Sequence, residues 1–335
     1  MPQNRRIVLA KRPVGVPDES CFRLETTELP VPAEGQLLLR TLYLSVDPYM
    51  RGRMNDARSY AKPVDLIQVM VGGTLCQVVE SRAPGVAAGE LVVCNSGWQD
   101  YAVARGEASR LTKVDRSIAP LPAWLGVLGM PGHTAYFGLL RLGKPQAGET
   151  VVVSAAAGAV GSVVGQIAKI KGCRAVGIAG GPEKCRYVTE ELGFDACIDY
   201  KAGGLSKQLR EACPKGIDVN FENVGGEILD AVLPQMNVFG RIALCGLISG
   251  YNDTQPPAGP RNIRAVLTQR LRMQGLIVTD WAVRIPEAIA QLGQWHKEGK
   301  LEIREDVREG GVDAFPDVLN LLYTGGNQGK LVLKV

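Results

Sequence analysis

Residues 151–172 place a run of β-branched residues directly before a turn of small residues and an apolar helical pattern. Val151, Val152 and Val153 favour a buried strand, and the segment after Gly161 repeats apolar residues at helical spacing. A strand that runs through a glycine-containing turn into a helix is typical of a nucleotide-binding βαβ unit. This feature therefore predicts a sheet of parallel strands joined by crossover helices.

The turn matches the dinucleotide fingerprint G-x-G-x-x-G at its second and third glycines, Gly158 and Gly161, while Ala156 occupies the first position. A glycine at 158 lets the backbone approach a pyrophosphate, and a glycine at 161 lets the helix pack close to the strand. The helix N-terminus then directs its N–H groups towards the phosphates. Taken alone, the glycines favour an ordinary tight turn in an α/β protein. The residues further along the chain distinguish such a turn from a dinucleotide-binding site.

The second strand of the unit, predicted at 174–179, ends without the acidic residue that NAD-preferring enzymes hold on the adenosine ribose. Its tip is a pair of glycines, and Lys184 follows in the first turn of the next predicted helix. A ribose 2′-phosphate needs a cation and space, and a carboxylate would repel it. The sequence therefore predicts a dinucleotide site that prefers NADP(H) to NAD(H).

The size and charge of the chain exclude several classes of function. A length of 335 residues is sufficient for two domains, and 46% hydrophobic with 21% charged residues is typical of a globular protein. The net charge of +4 is spread along the chain without runs of like charge, which argues against nucleic acid or an anionic membrane as a partner. The opening residues 1–13 lack the apolar core and cleavage site of a secretory signal, so we expect a cytoplasmic protein.

The cysteines and histidines do not suggest a metal site. None of the eight cysteines forms a C-x-x-C pair, and most lie in apolar runs, so we expect reduced, buried thiols. The chain has two histidines, His133 and His296. A catalytic zinc ion needs three converging protein ligands, mostly cysteine and histidine, and this grouping is missing from the sequence.

The order of predicted elements indicates an α/β fold with a β-rich first part. Strands are predicted at 36–44, 71–79, 90–94, 150–154, 174–179, 195–199, 217–221, 240–246 and 273–278. Helices are predicted near 160–171, 182–192, 204–213, 225–236, 261–271 and 284–298, with one more helix and a closing strand within 313–335. The alternation predicts a doubly wound Rossmann domain at 125–298, inserted in a β-rich domain at 1–124 plus 299–335. We expect substrate to meet the nicotinamide in the cleft between two such domains.

Seven segments carry a resemblance to a known family: 44–54 (LSVDPYMRGRM), 129–140 (GMPGHTAYFGLL), 155–173 (AAAGAVGSVVGQIAKIKGC), 191–201 (ELGFDACIDYK), 221–226 (FENVGG), 239–252 (FGRIALCGLISGYN) and 326–335 (GNQGKLVLKV). Through them the whole chain resembles the zinc-independent medium-chain dehydrogenase/reductases. Within that family it is similar to the leukotriene/prostaglandin reductases, the plant double-bond reductases and the bacterial NADPH-dependent curcumin reductases. The resemblance implies a GroES-like β-rich catalytic domain and a Rossmann domain that binds NADPH.

The resemblance also implies which residues would contact the cofactor. Lys184 would hold the 2′-phosphate, Tyr200 would lie beside the adenosine, and Asn223 would hydrogen-bond the cofactor. The competing interpretations are a solvated helix lysine, a packing tyrosine and an asparagine that only makes a turn. The other implied residues are Ala157, Gly158, Ala159, Val160, Gly161, Cys245, Gly246, Leu247, Ile248, Ser249, Tyr251, Leu276, Ile277, Val278 and, in the tail, Asn327. The trio 276–278 is also consistent with a core strand.

Two tyrosines are the candidates for catalysis. Hydride delivered to the β-carbon of an enone leaves an enolate, and the phenol of Tyr251 can donate to its oxygen without a metal. Tyr49 could equally orient the carbonyl or line the wall of the site, and Tyr251, as a loop tyrosine, could equally be a hydrophobic lid. Water or one of these phenols would protonate the α-carbon. His133 stands where such relatives usually carry an apolar residue, and we assign it no role.

The function implied by the resemblance is NADPH-dependent reduction of a carbon–carbon double bond conjugated to a carbonyl. The substrates would be alkenals, alkenones and curcumin-like or 15-oxoprostaglandin-like compounds, and the protein would be a homodimer. An NADPH quinone oxidoreductase on the same fold is the nearest alternative, and a non-catalytic NADPH-binding protein is a second. Alcohol dehydrogenase activity would need a carbonyl polariser, which the absence of zinc-ligand spacing disfavours.

Overall fold

The computed structural model describes residues 3–107 and 111–335, and the chain divides into two compact units. The first unit combines the chain up to Leu125 with Glu305–Val335, and the second unit is Gly126–Arg304. No helix within the described ranges is long and apolar enough to cross a lipid bilayer.

The strands are short and most of them are separated by helices or turns. In chain order they are β1 (Gln3–Leu9), β2 (Phe22–Glu28), β3 (Gln36–Ser45), β4 (Thr74–Ser81), β5 (Leu91–Cys94), β6 (Tyr101–Arg105), β7 (Thr112–Lys113), β8 (Thr150–Ser154), β9 (Arg174–Ala179), β10 (Ala196–Asp199), β11 (Ile217–Glu222), β12 (Met236–Leu244), β13 (Arg272–Gly275), β14 (Glu305–Glu309) and β15 (Lys330–Lys334).

The α-helices belong mainly to the second unit. They are α1 (Tyr49–Arg53), α2 (Met130–Phe137), α3 (Gly161–Ile170), α4 (Pro182–Arg186), α5 (Leu205–Ala212), α6 (Gly226–Val232), α7 (Arg264–Thr268), α8 (Ile285–Lys297) and α9 (Phe315–Thr324). Tighter or wider helical turns lie at Glu19–Cys21, Leu121–Leu125, Gly138–Gly143, Tyr187–Glu191, Tyr200–Ala202, Leu233–Gln235, Ile248–Gly250, Val278–Arg284 and Val312–Ala314.

The second unit is built on a parallel sheet in the order β10-β9-β8-β11-β12-β13. Counted from one to six along the chain, this order is 3-2-1-4-5-6, the arrangement of a doubly wound dinucleotide-binding sheet. The predicted parallel α/β fold is therefore confirmed. The last strand, predicted to run to 278, ends at Gly275, because Val278 already begins a short helical segment.

Two glycines let α3 lie directly against its neighbours in the second unit. A β-carbon at Gly161 would overlap the carbonyl oxygen of Ala155, and one at Gly165 would overlap the ring of Phe194. The sequence predicted the first of these close approaches from the fingerprint. Both glycines thus set how near the helix comes to the sheet.

The first unit contains a seven-stranded sheet in which β3 pairs with β15, β4 and β6. A separate antiparallel ribbon is formed by β1 and β2. The core between these elements includes Trp98 and Phe315, whose ring centroids lie 4.0 Å apart. The strands β1, β2, β6, β7 and β14 were not predicted from the sequence. They are short or carry charged residues, as is usual for exposed or edge strands.

A buried ion pair fixes the turn between β3 and α1 in the first unit. The Lys330 ammonium donates to the carbonyl oxygen of Val46 at 2.7 Å and to Asp47 Oδ1 at 2.9 Å. The two charged side chains are only 3% and 5% exposed, and Ser45 donates to the second oxygen of Asp47. Burial lowers the pKa of Lys330, so its charge depends on the Asp47 carboxylate. Helix α1 begins at Tyr49, two residues after Asp47.

We expect Asp47→Asn to destabilise the protein strongly, because it leaves the Lys330 ammonium buried without its counter-charge. The expected loss in the free energy of unfolding is about 3–5 kcal/mol, measured by urea denaturation. Adding Lys330→Met should recover part of that loss. The control is Glu309→Gln, which removes an exposed ion pair with Lys334 and should leave the stability almost unchanged. Equal losses in the two single variants would contradict the anchoring role of Asp47.

Candidate functional site

The carboxyl ends of β8 and β11 lie side by side in the middle of the parallel sheet. The strand order runs outward from these two strands in opposite directions, so the crevice outside their ends is the topological switch point. Ligands of open parallel sheets bind at this place. The loops that leave β8, β11 and β12 therefore form the candidate site of the second unit.

The turn after β8 is closed by its own backbone. Gly158 N–H donates to the carbonyl oxygen of Ala155 at 2.9 Å, and Ser162 N–H donates to that of Gly158 at 3.0 Å. Ala155 carries the positive φ of 51° that the turn requires. A β-carbon at Gly158 would meet only the Ala155 oxygen, at 3.2 Å, so the outer face of the turn is open to a phosphate. Ala157, Ala159 and Val160 complete this turn, and α3 begins directly after it at Gly161.

A buried carboxylate that the sequence analysis missed holds the switch point together. Glu222 is the last residue of β11 and is fully buried. Its Oε1 accepts from Ser154 Oγ at 2.7 Å, and from the backbone N–H groups of Val224 at 2.7 Å and Gly225 at 2.9 Å. Its Oε2 accepts from Asn220 Nδ2 at 3.0 Å. One side chain thus orders the end of β8 and the loop after β11.

Asn223, a predicted cofactor contact, ties the same two strands together. Its backbone N–H donates to Ser154 Oγ and its side-chain amide donates to the Ser154 carbonyl oxygen, both at 2.7 Å. The loop after β12 is fastened here too, because the carbonyl oxygen of Glu222 accepts from Cys245 N–H at 2.8 Å and Gly246 N–H at 3.1 Å. Three strand ends therefore share one hydrogen-bond network.

The segment 245–251 folds over this network. Ile248 N–H donates to the carbonyl oxygen of Asn223 at 3.2 Å, and Ser249 Oγ donates to that of Val224 at 2.6 Å. The phenol oxygen of Tyr251 accepts from Leu247 N–H at 3.4 Å, so the ring turns back over its own loop. Burial and the charge of Glu222 raise the pKa of the Cys245 thiol to about 12, which keeps it neutral.

A second group of predicted residues lies where β9 and β10 end. A β-carbon at Gly180 would come within 2.9 Å of the Tyr200 ring and 3.0 Å of the Lys201 side chain. Asp199 accepts from the backbone N–H groups of Gly181 at 2.8 Å and Lys201 at 3.0 Å. Lys184 is the third residue of α4, which starts immediately after this turn. Lys201 is a further cation at this corner, and its position directly after Tyr200 was the signal that could have identified it.

The residues 276–278 were predicted either to contact the cofactor or to form a core strand, and the three residues differ in their environments. Leu276 is buried, and its N–H donates to the carbonyl oxygen of Leu244 at 3.0 Å, so it continues the packing of the sheet. Ile277 and Val278 are half-buried and leave the sheet, and the Ile277 carbonyl oxygen accepts from Asp280 N–H at 3.1 Å.

Tyr49 and Asn327, the two predicted site residues of the first unit, have defined environments there. Burial, reinforced by the charge of Asp47, raises the pKa of the Tyr49 phenol well above its ordinary value. Tyr49 is therefore a neutral hydrogen-bond donor at physiological pH. The amide of Asn327 donates to the carbonyl oxygen of Gly329 at 3.1 Å, just before β15 begins.

His133 is buried in α2 of the second unit and is 6% exposed. Its Nε2 has no hydrogen-bond partner among the residues that the structure describes. Burial lowers the pKa of His133 to about 4, against a hydrogen bond with the Leu128 backbone that opposes the shift. The ring is therefore neutral at physiological pH and does not serve as an imidazolium acid. In the described ranges, 3–107 and 111–335, no three His, Cys, Asp or Glu side chains converge as a metal site would require.

Comparisons with known proteins find family profiles for both parts of the chain and relatives that match nearly its full length. One family profile, described as the N-terminal domain of oxidoreductase, matches residues 5–114, and another, described as zinc-binding dehydrogenase, matches residues 159–295. The NADPH-dependent curcumin reductase of Escherichia coli strain K12 is 52% identical over 339 residues, which span 99% of this chain and 97% of that protein. Prostaglandin reductase 1 of Rattus norvegicus is 44% identical over 338 residues, and the match spans 100% of both chains.

A solved structure shows the same fold at high sequence identity. The crystal structure of CurA from Vibrio vulnificus in complex with NADPH is 49% identical to this chain. It superposes with a TM-score of 0.93 over 99% of each chain. The similarity thus extends over both units.

We expect Glu222→Gln to weaken the hydrogen-bond network at the switch point without unfolding the protein. An amide N–H would replace one acceptor oxygen of the carboxylate. The affinity for NADPH, measured by fluorescence titration, should fall about tenfold, a change of about 1.4 kcal/mol. The matched control is Glu227→Gln, at an exposed position in the first turn of α6. An unchanged affinity in Glu222→Gln would remove that carboxylate from the organisation of the site.

We expect His133→Leu to reduce the loss of stability on acidification. The folded state binds a proton at His133 only near pH 4, whereas the unfolded state binds it near pH 6.5, so stability is lost as the pH falls between these values. This group should contribute about 3 kcal/mol to that loss, measured by urea denaturation from about pH 7 to about pH 4. The control variant His296→Gln should retain the His133 contribution. An identical pH dependence in His133→Leu and wild type would contradict the burial effect.

Proposed function

This chain belongs to the zinc-independent medium-chain dehydrogenase/reductases, in the group of the prostaglandin and curcumin reductases, and from that membership we propose that it reduces carbon–carbon double bonds conjugated to a carbonyl. The chain is an NADPH-dependent oxidoreductase. The proposed substrates are α,β-unsaturated aldehydes and ketones, including curcumin-like diones. The observation that carries the proposal is the full-length likeness to an NADPH-dependent curcumin reductase. A homodimer in the cytoplasm is part of the same proposal and rests on the family resemblance.

The residues of the second unit fit NADPH. The open face of Gly158 and the N-terminus of the ten-residue helix α3 suit a pyrophosphate. Lys184 and Lys201 supply positive charge for a 2′-phosphate beside the Gly180 turn. Bound NADPH supplies the hydride that reduces the β-carbon of the substrate. We propose that the segment 245–251 contacts the nicotinamide half, with Leu276, Ile277, Val278 and Asn327 as further contacts.

The proposed role of Tyr251 is to stabilise the enolate. Its phenol donates a hydrogen bond to the substrate oxygen, on which negative charge develops during reduction. Tyr49 is proposed to orient the same carbonyl, and its raised pKa keeps its proton in place as a donor. The α-carbon then takes its proton from water or from one of these phenols.

The decisive experiment follows NADPH absorbance with a medium-chain alkenal, an aryl enone, a quinone and a saturated aldehyde, repeated with NADH and with a chelator. Chelator-insensitive, NADPH-selective oxidation driven by the alkenal and the enone supports the proposal. Turnover of the quinone alone would replace it with quinone reduction. Cofactor binding without turnover of any substrate would point to a non-catalytic NADPH-binding protein.

Lys184→Ala should weaken NADPH about tenfold to a hundredfold and NADH by less than about twofold, because only NADPH carries the phosphate that receives a charge-assisted hydrogen bond. Dissociation constants from fluorescence titration test this expectation. Lys207→Ala, at an exposed lysine of α5, is the control and should affect neither cofactor. Equal losses for both cofactors would rule out the phosphate role.

Tyr251→Phe should lower kcat about a hundredfold, the size of effect seen when a single oxyanion donor is removed. The affinity for NADPH should change far less, since the aromatic ring is retained. Tyr136→Phe is the control. The Tyr136 phenol donates to Glu287 of α8 at 3.0 Å, and neither residue belongs to the loops after β8, β11 and β12. If Tyr251→Phe kept the wild-type rate, the residue would have no part in the mechanism.

A further inference from the structure

Two cysteine sulfurs lie 3.2 Å apart next to the corner that holds Lys184. Cys185 belongs to α4 and Cys197 to β10, and both residues are half-buried. We propose that this pair is a redox modification site, which hydrogen peroxide converts into an intramolecular disulfide. A disulfide brings two sulfurs to about 2.05 Å, so they must approach by only about 1 Å.

The surroundings of the pair favour this reaction over oxidation elsewhere. Cys197 stands opposite Gly177 in the sheet register, and a β-carbon at Gly177 would come within 3.4 Å of its sulfur. A β-carbon there would also come within 2.8 Å of Ala156 and 2.9 Å of Val188, so it is the glycine that lets the Cys197 sulfur lie against this part of the sheet. The other cysteines are less suited. Cys21, Cys76, Cys94, Cys173 and Cys213 are buried, which limits the access of peroxide even to Cys76 and Cys94, which interact with each other. Cys245 is half-buried, but it is the single cysteine of the segment 245–251.

The geometry assigns different roles to the two thiols. Cys197 donates its S–H to Cys185, and this contact favours the Cys185 thiolate against the effect of burial, which raises the pKa of both thiols. The Cys185 thiolate attacks the peroxide, the O–O bond breaks, and a sulfenic acid and hydroxide form. The Cys197 sulfur then attacks the sulfur of Cys185, and the sulfenic oxygen leaves as water. Together the two thiols lose two electrons and two protons, and the peroxide becomes two molecules of water.

Formation of the disulfide should change the affinity of the nucleotide site for the 2′-phosphate, an expectation that rests on the proposed function. Cys185 follows Lys184 directly in the chain, and Asp199, two residues after Cys197, orients Gly181 and Lys201. Drawing α4 towards β10 displaces Lys184 from its position in the reduced protein. Charge-assisted hydrogen bonds weaken steeply with distance and angle, so the oxidised form should bind NADPH more weakly and NADH about equally.

Disulfide formation is tested on the full-length protein without any cofactor. Reduced protein is treated with hydrogen peroxide, the remaining thiols are alkylated, and peptides are identified by mass spectrometry. We expect a peptide pair linked through Cys185 and Cys197, which dithiothreitol separates. Cys185→Ser and Cys197→Ser should each abolish this linked pair, and the control Cys213→Ser should retain it. Recovery of both cysteines only as alkylated or singly oxidised residues would overturn the proposal.

The effect on the nucleotide site is tested separately by titration of reduced and oxidised protein. NADPH should bind about tenfold more weakly to the oxidised form, equivalent to about 1.4 kcal/mol, while NADH changes by less than about twofold. In Cys197→Ser the affinity for NADPH should not change on peroxide treatment, because no disulfide can draw α4 towards β10. A linked peptide with equal effects on both cofactors would overturn the coupling to Lys184. If the reduced protein did not prefer NADPH, the proposed cofactor site would fail, while the linked peptide would still decide the disulfide.

Discussion

The buried carboxylate of Glu222 is the interaction on which the candidate site depends. Backbone N–H groups at the end of a strand must find acceptors when water is excluded, and one charged side chain satisfies several of them at once. The same residue receives the Ser154 hydroxyl through its side chain and the loop after β12 through its carbonyl oxygen. The turn after β8, the loop that carries Asn223 and the loop that carries Tyr251 are therefore ordered by one local network.

In the first unit a buried ion pair, instead of a single carboxylate, orders the chain near the candidate tyrosine. Lys330 and Asp47 neutralise each other inside the unit, and they fix the start of the helix that carries Tyr49. Because the same Asp47 charge also disfavours ionisation of Tyr49, the anchor helps to keep that phenol protonated. Asp47 thus has two roles in the first unit, as the partner of Lys330 and as the charge beside the candidate tyrosine.

The parallel sheet and the turn after β8 were predictable because their signals are local: apolar strands alternate with helical periods, and glycines stand at fixed spacing. Glu222 and Lys330 were not, since FENVGG and GKLVLKV give no sign that these charges are buried. Their burial is decided by distant partners, Ser154 for the first and Asp47 for the second. The edge strands escaped prediction for the opposite reason, because their exposed faces carry the charges that usually indicate loops.

The backbone hydrogen bonds within the turn after β8 affect the entropy and the rate of ligand binding at this turn. Ala155 holds a left-handed backbone that a non-glycine residue adopts at some energetic cost, and the fold keeps it there. A loop that is already ordered loses little conformational freedom when a ligand arrives, so more of the interaction energy is expressed as affinity. For the proposed dinucleotide site, this means that the rate of association should be limited by encounter and not by rearrangement of this turn.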